Sequence, residues 1–195
     1  MKSHQINKLE NFIGGWYVNK KVCKNLIKHF EKANNKRQGE VGHADGIVNV
    51  DKSIKASTDV SVLANSQDKN ILDYYKELTK VTNEYKKQYE YCDEAQAEWG
   101  LTSNWGIQKY KPKEGYFVRH YERSGGKYIK RHLVFMTYLN DVSDGGETEF
   151  YYQKLKVKPE IGLTLIFPAD WTFTHNGITS PTQTKYISTG WYNYV

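Results

Sequence analysis

His120 and Glu122 stand either side of one tyrosine, and a lone His175 lies far downstream. Two neutral imidazoles and one carboxylate are good donors to a first-row divalent metal. Gathered on one face of Fe(II), they leave the opposite face open to a substrate and to oxygen, as an iron oxygenase requires. The pattern is sparse on its own. His-x-Glu tripeptides arise by chance, and a histidine near a glycine turn is often a plain loop residue. Lys185, ten residues after His175, strengthens it. That lysine lies inside the run Thr184-Lys-Tyr-Ile-Ser-Thr-Gly-Trp191. Buried among such neighbours, an ammonium requires an anion; pointing to solvent, which strand alternation also allows, it requires none. Its place just after the second histidine favours an anion site beside the metal.

The elements that must position these residues begin at about Gly106. Short β-rich runs there alternate with Gly, Asp and Pro punctuation. They read as Gly106–Tyr110, Tyr116–Tyr121, His132–Leu139, Glu149–Tyr152, Leu163–Phe167, Thr172–His175 and Tyr186–Tyr194. Many short strands with frequent turn signals predict a sandwich or barrel. His120 and Glu122 share parity on one extended run, so both side chains point to the same face and Tyr121 to the other. Upstream, Asn19 is suited to cap a helix on which Val22, Cys23, Leu26, Ile27 and Phe30 recur at helical spacing. Gly39, Gly42 and Gly46 then interrupt the pattern, and Gly46–Val50 reads as a short strand. A second helix is predicted from about Lys69 to Tyr91. Ile71, Tyr75, Leu78, Thr82, Tyr85, Tyr89 and Cys92 form its packing stripe.

An aromatic content of 14%, with 16 tyrosines, agrees with a β-rich chain, because aromatic side chains suit a pleated, half-buried surface. The 195 residues read as one domain, with 1–105 as helix-rich support and 106–195 as the catalytic β core. The net charge of +6 comes from lysines spread along the chain, which argues for a solvated surface. No cluster of Lys and Arg with interleaved aromatics marks a single-strand path, so nucleic acid is the weaker partner reading. Cys23 and Cys92 form no Cys-x-x-Cys pair, which argues for reduced packing residues rather than a thiolate metal site. No apolar run reaches the roughly 18 residues that span a bilayer, and the first residues hold no apolar run of signal-peptide length. A cytoplasmic protein without membrane contact is expected.

Residues 106–195 carry, in order, Gln108-Lys-Tyr110, Gly115-Tyr-Phe-Val-Arg-His-Tyr-Glu122, Arg131 through Tyr138-Leu-Asn-Asp141 and Gly145-Gly-Glu-Thr-Glu-Phe150. Val157-Lys-Pro159, Gly162 through Phe167, His175-Asn-Gly177 and Thr184-Lys-Tyr186 through Trp191 follow. This half resembles the prolyl 4-hydroxylase-like branch of the Fe(II)/2-oxoglutarate-dependent dioxygenases. The resemblance implies an α+β, mainly β fold: a double-stranded β-helix (jelly-roll) core with supporting N-terminal helices. It implies that His120, Glu122 and His175 bind iron and that Lys185 pairs with the distal carboxylate of 2-oxoglutarate. Tyr110, Tyr138 and Thr189 fall where the family places hydroxyls near that carboxylate, and Trp191 where an aromatic lines the pocket. Arg131 either contacts substrate or anchors its strand. Asn140-Asp141 and Gly145-Gly-Glu-Thr148 are implied to be a turn and a strand start.

The implied reaction consumes 2-oxoglutarate and O2, with ascorbate as a reductant, and releases succinate and CO2. Its expected target is a C–H bond of a prolyl residue in a peptide or protein. Alternatives within the superfamily are a free amino acid, another side chain or an alkylated nucleobase. A catalytically silent binding module on the same fold is a further alternative. So is a cupin-like metal protein, which would have no need of Lys185. Two features depart from the family pattern. Glu122 stands where the family usually has Asp. The connection Arg123-Ser-Gly-Gly-Lys-Tyr-Ile-Lys130 is short, and reads either as a mobile substrate-facing loop or as an ordinary hairpin turn.

Overall fold

A computed structural model of the chain describes residues 11–42, 47–94 and 97–195. In order, the elements are β1 (Gly14–Tyr17), α1 (Lys20–Lys32), β2 (Arg37–Gln38), β3 (Val41–Gly42), β4 (Val48–Asn49), β5 (Thr58–Val62) and α2 (Lys69–Gln88). Then come β6 (Trp99–Gly100), β7 (Trp105–Tyr110), β8 (Arg131–Tyr138), β9 (Thr148–Phe150), β10 (Leu155–Val157), β11 (Leu163–Pro168), β12 (His175–Gly177) and β13 (Lys185–Tyr194).

The helices start where local chemistry dictates. Asn19 Oδ1 accepts the Lys21 backbone N–H at 2.9 Å, the N-cap that the sequence predicts. Asp68 caps α2 by accepting from Asn70 and Ile71. The α1 face of Cys23, Leu26 and Phe30 is buried. On α2 the buried face is Ile71, Tyr74, Leu78, Val81, Thr82 and Tyr85. Ile71, Leu78, Thr82 and Tyr85 of the predicted stripe are buried, but Tyr74 and Val81 join them, whereas Tyr75, Tyr89 and Cys92 are only partly buried. The α-helix ends at Gln88, and Glu90–Cys92 forms a 3-10 turn.

All strand pairings between named strands are antiparallel. The major sheet has the order β1-β11-β8-β13-β7-β5-β2, with β6 also pairing β13. The minor sheet is β10-β9-β12, and β3 pairs β4. Helices cover one face of the major sheet and the minor sheet covers the other, each with its own apolar cluster. This is the mainly β jelly-roll with supporting helices that the resemblance implies. The first 105 residues do more than support it, because β1, β2, β5 and β6 are strands of the major sheet. Three predicted strands need correction. Tyr116–Tyr121 is irregular, and among the described residues its β pairing is limited to isolated bridges at Tyr116 and His120. Trp171–Phe173 is a 3-10 turn, so the strand predicted over Thr172–His175 starts only at His175. Of Gly46–Val50, Gly46 lies outside the described residues and Val48–Asn49 is a strand.

Alternation along β8 and β13 sorts side chains between the two layers. Leu133 and Phe135 pack toward the helices, and Val134, Met136 and Tyr138 toward the minor sheet. Polar groups buried under α2 are satisfied: Tyr74 Oη meets Thr137 Oγ1 at 2.8 Å and accepts from Ser188 Oγ at 2.7 Å. Phe135 is fully buried, its ring 6.0 Å from Trp105 and 5.7 Å from Tyr192 between centroids. Its cross-strand partner is Gly190, where a Cβ would lie 2.5 Å from Trp105 Cβ and 2.6 Å from the Phe135 ring. Phe135→Ala is expected to destabilise the domain by about 3–5 kcal/mol. A lower urea midpoint at unchanged m-value would report it, and an unaltered midpoint would contradict it.

Candidate active site

His120 and Glu122 lie on the irregular segment between β7 and β8, and that segment is pinned at several points. Phe117 N–H donates to Ile54 O, and Gly177 N–H to Tyr116 O. His120 and His175 exchange backbone hydrogen bonds of 2.9 Å in both directions. Glu122 and Arg123 both donate to Ala169 O, just past β11. The two candidate ligands of this segment are thus brought together by an irregular edge laid against β12, not by parity along a strand.

Each imidazole has its Nδ1 against a backbone carbonyl, His120 on Val118 O at 3.0 Å and His175 on Phe173 O at 2.9 Å. A carbonyl only accepts, so Nδ1 carries the hydrogen and Nε2 presents a lone pair. Glu122 Oε1 lies 3.5 Å from His120 Nε2 and 3.8 Å from His175 Nε2. The ligand atoms of the three residues all fall within 4.8 Å of one another. The other carboxylate oxygen, Oε2, accepts from Arg131 Nη1 at 3.0 Å and from Trp191 Nε1 at 2.9 Å. Burial works to raise the Glu122 carboxyl, but the facing His120 imidazole and the guanidinium of Arg131 outweigh it, and it lies well below the usual carboxylate range. Burial lowers the His175 imidazole to about 4, which keeps it neutral and able to ligate at neutral pH.

Lys185 opens β13 opposite Tyr110, and its side chain is 5% exposed. Among the described residues its hydrogen bond is to Gly146 O at 2.9 Å, leaving further N–H donors for a ligand. That carbonyl is presented by the Gly145-Gly146 turn, where both φ angles are positive and a Cβ on Gly145 would lie 2.5 Å from Thr179 O. Only glycine fits such a turn at little cost. Burial lowers the Lys185 ammonium to about 8, with the Glu147 charge opposing.

His120, Glu122, His175 and Lys185 line one cavity of about 460 Å³. Tyr110, Thr189, Trp191 and Arg131 line it too. The hydroxyls are already engaged: Tyr110 Oη donates to Gln108 Oε1 at 2.6 Å, and Thr189 Oγ1 to Phe135 O at 3.1 Å. Tyr138 is fully buried and is not among the lining residues. Its hydroxyl donates to Thr148 Oγ1 at 2.7 Å, and Thr148 forms the wall instead. Arg131 anchors Glu122, donating to both its side chain and its backbone carbonyl. Sequence reasoning missed Tyr116, stacked 3.6 Å from the His120 ring at 11°, although it lies in the same motif. It also missed Tyr128 and the buried Lys55–Asp59 pair, 2.6 Å apart, on the cavity wall. Nothing local to Lys55 signals this, since its place is set by the bridge to Tyr116.

Residues 105–193 match the family model described as 2OG-Fe(II) oxygenase superfamily. Over that stretch the chain is similar to that superfamily. Among curated proteins it is similar to Probable prolyl 4-hydroxylase 10 of Arabidopsis thaliana, at 28% identity over 193 residues. The match covers 86% of this chain and 59% of the relative, so the chain spans about three fifths of that protein's length. The fold is similar to that of the viral collagen prolyl hydroxylase vCPH from Paramecium Bursaria Chlorella virus-1 in its 2OG complex. There the TM-score is 0.68 at 18% identity, covering 95% of this chain and 97% of that one. It is also similar to a Trichoplax adhaerens prolyl hydroxylase in complex with a hypoxia inducible factor oxygen degradation domain peptide fragment. That match has a TM-score of 0.72 at 14% identity, covering 94% of this chain and 84% of the other. The chain therefore has the fold of these hydroxylases throughout most of its length. Among its described residues, no helix is long and apolar enough to cross a membrane.

Proposed function

We propose that this protein is an Fe(II)- and 2-oxoglutarate-dependent oxygenase that hydroxylates a prolyl residue in a peptide or protein, releasing succinate and CO2. The observation that carries this reading is a buried ammonium, Lys185, in the same cavity as three converging ligand atoms. The donor sets fit both groups. Two neutral imidazoles and a carboxylate suit Fe(II), and an ammonium with donors to spare suits the far carboxylate of a dicarboxylic acid. When bound, iron and 2-oxoglutarate supply the oxidising chemistry, which is their own.

The chain's residues bind, orient and shield. His120 and His175 offer Nε2 because Nδ1 is engaged by the backbone. Lys185 fixes one end of the dicarboxylate, which orients the other end toward the ligands. The aromatic walls at Tyr116, Tyr128 and Trp191 keep water out and suit the apolar ring of a prolyl residue. Similarity to proteins named prolyl hydroxylases supports that choice of substrate. Against the silent-module alternative, Glu122 Oε1 faces both imidazoles. Iron-loaded protein incubated with 2-oxoglutarate and proline-containing peptides is expected to yield succinate and a peptide heavier by one oxygen. Succinate without that gain in mass would overturn the prolyl assignment, and no succinate at all would overturn turnover.

The reading carries a pH dependence. In the ligand-free protein, Lys185 loses its proton as pH rises through about 8, whereas a bound carboxylate holds that proton in place. Affinity for 2-oxoglutarate should be flat below pH 8 and fall by up to about tenfold per pH unit above it. Calorimetric titration in buffers of differing ionisation enthalpy would detect both the fall and the proton uptake. The buried ammonium destabilises the ligand-free fold below about pH 8, and that penalty is relieved as pH rises from about 8 to 10.5, because the unfolded chain binds more protons there.

A further inference from the structure

The two oxygens of Glu122 do different work. Oε1 faces the imidazoles, while Oε2 is held by Arg131 Nη1 at 3.0 Å and Trp191 Nε1 at 2.9 Å. Those two donors come from strands of the major sheet, Arg131 from the start of β8 and Trp191 from β13. They also hold each other. The Arg131 guanidinium carbon lies 3.5 Å from the Trp191 ring centroid and 4.2 Å from that of Tyr128. Arg131 donates as well to Glu122 O at 2.9 Å. A long, flexible carboxylate on an irregular segment is thereby fixed by a stacked, rigid pair.

We propose that Arg131 and Trp191 are positioning residues that restrict Glu122 to binding metal through one oxygen. This rests on the metal reading above. A glutamate left free can bind a metal through both oxygens. It would then take a position that a chelating co-substrate and oxygen need between them. The clamp occupies the second oxygen and keeps that position open.

Trp191→Phe keeps a ring under Arg131 and removes only the N–H donor. Arg131→Met removes both the charge and the fork. Metal affinity is expected to fall about tenfold in the first and about a hundredfold in the second, the range for partners that orient a ligand. The Co(II) d–d spectrum should shift in both variants, reporting a changed carboxylate mode independently of turnover. Wild-type Co(II) affinity and spectrum in folded Trp191→Phe would overturn the clamp, and that variant decides alone where Arg131→Met fails to fold. A wild-type chain that binds neither Co(II) nor Fe(II) at His120, Glu122 and His175 would instead overturn the metal reading beneath it.

Discussion

Lys185→Met is expected to weaken 2-oxoglutarate binding by about a hundredfold or more while leaving the fold and the metal affinity in place. Losing one partner of a buried, hydrogen-bonded charge pair typically costs ~2–5 kcal/mol, because the other charge is left desolvated and alone. Methionine keeps the volume of the lysine stem, so the packing against Tyr110 needs little repair. The free protein should be no less stable, and more stable at neutral pH, since an ammonium that burial disfavours has been removed. The substitution should also abolish the fall in affinity above pH 8, which ties both effects to one group. Anaerobic calorimetry with the metal-loaded variant, beside thermal melts, separates these outcomes. An unchanged Kd would show that the co-substrate carboxylate is held elsewhere.

His175→Ala should abolish turnover and lower iron retention by well over the roughly 10–100-fold seen when only a ligand's supporting partner is removed. The His175 ring is buried, with Phe150 and Phe167 centroids 5.6 and 5.2 Å away, so some stability is lost too. The backbone exchange with His120 does not use the side chain and should persist. Iron content after dialysis and succinate release read the effect, with circular dichroism as the control on folding. Full iron retention and turnover in the variant would remove His175 from the site and the three-ligand reading with it.

Much of this was legible in residue type and order. The Asn19 cap could be read because a cap needs only a side-chain oxygen and the next turn's N–H groups. The phase of α2 was less legible, because tyrosines at 74, 75, 85 and 89 offer two overlapping stripes and only contact with the sheet selects one. The chemistry of His120, Glu122, His175 and Lys185 followed from donor type. How they meet did not follow, since the parity argument assumed a strand where the chain is irregular and pinned to β12 and Ala169.

β13 shows where the boundary lies. Period-two alternation puts Lys185, Ile187, Thr189 and Trp191 on one face from sequence alone. It cannot say which face that is, because both are covered: Tyr186 and Tyr192 pack toward the helices, Ile187 and Trp191 toward the minor sheet. Helix packing on the first face decided that Lys185 enters the cavity. Docking of β8 beside β13 likewise decided that Arg131 and Trp191 hold Glu122. Local sequence determines which atoms can donate, accept or ligate. Which of them meet depends on contacts between segments far apart in the chain, and those form only when the layers close.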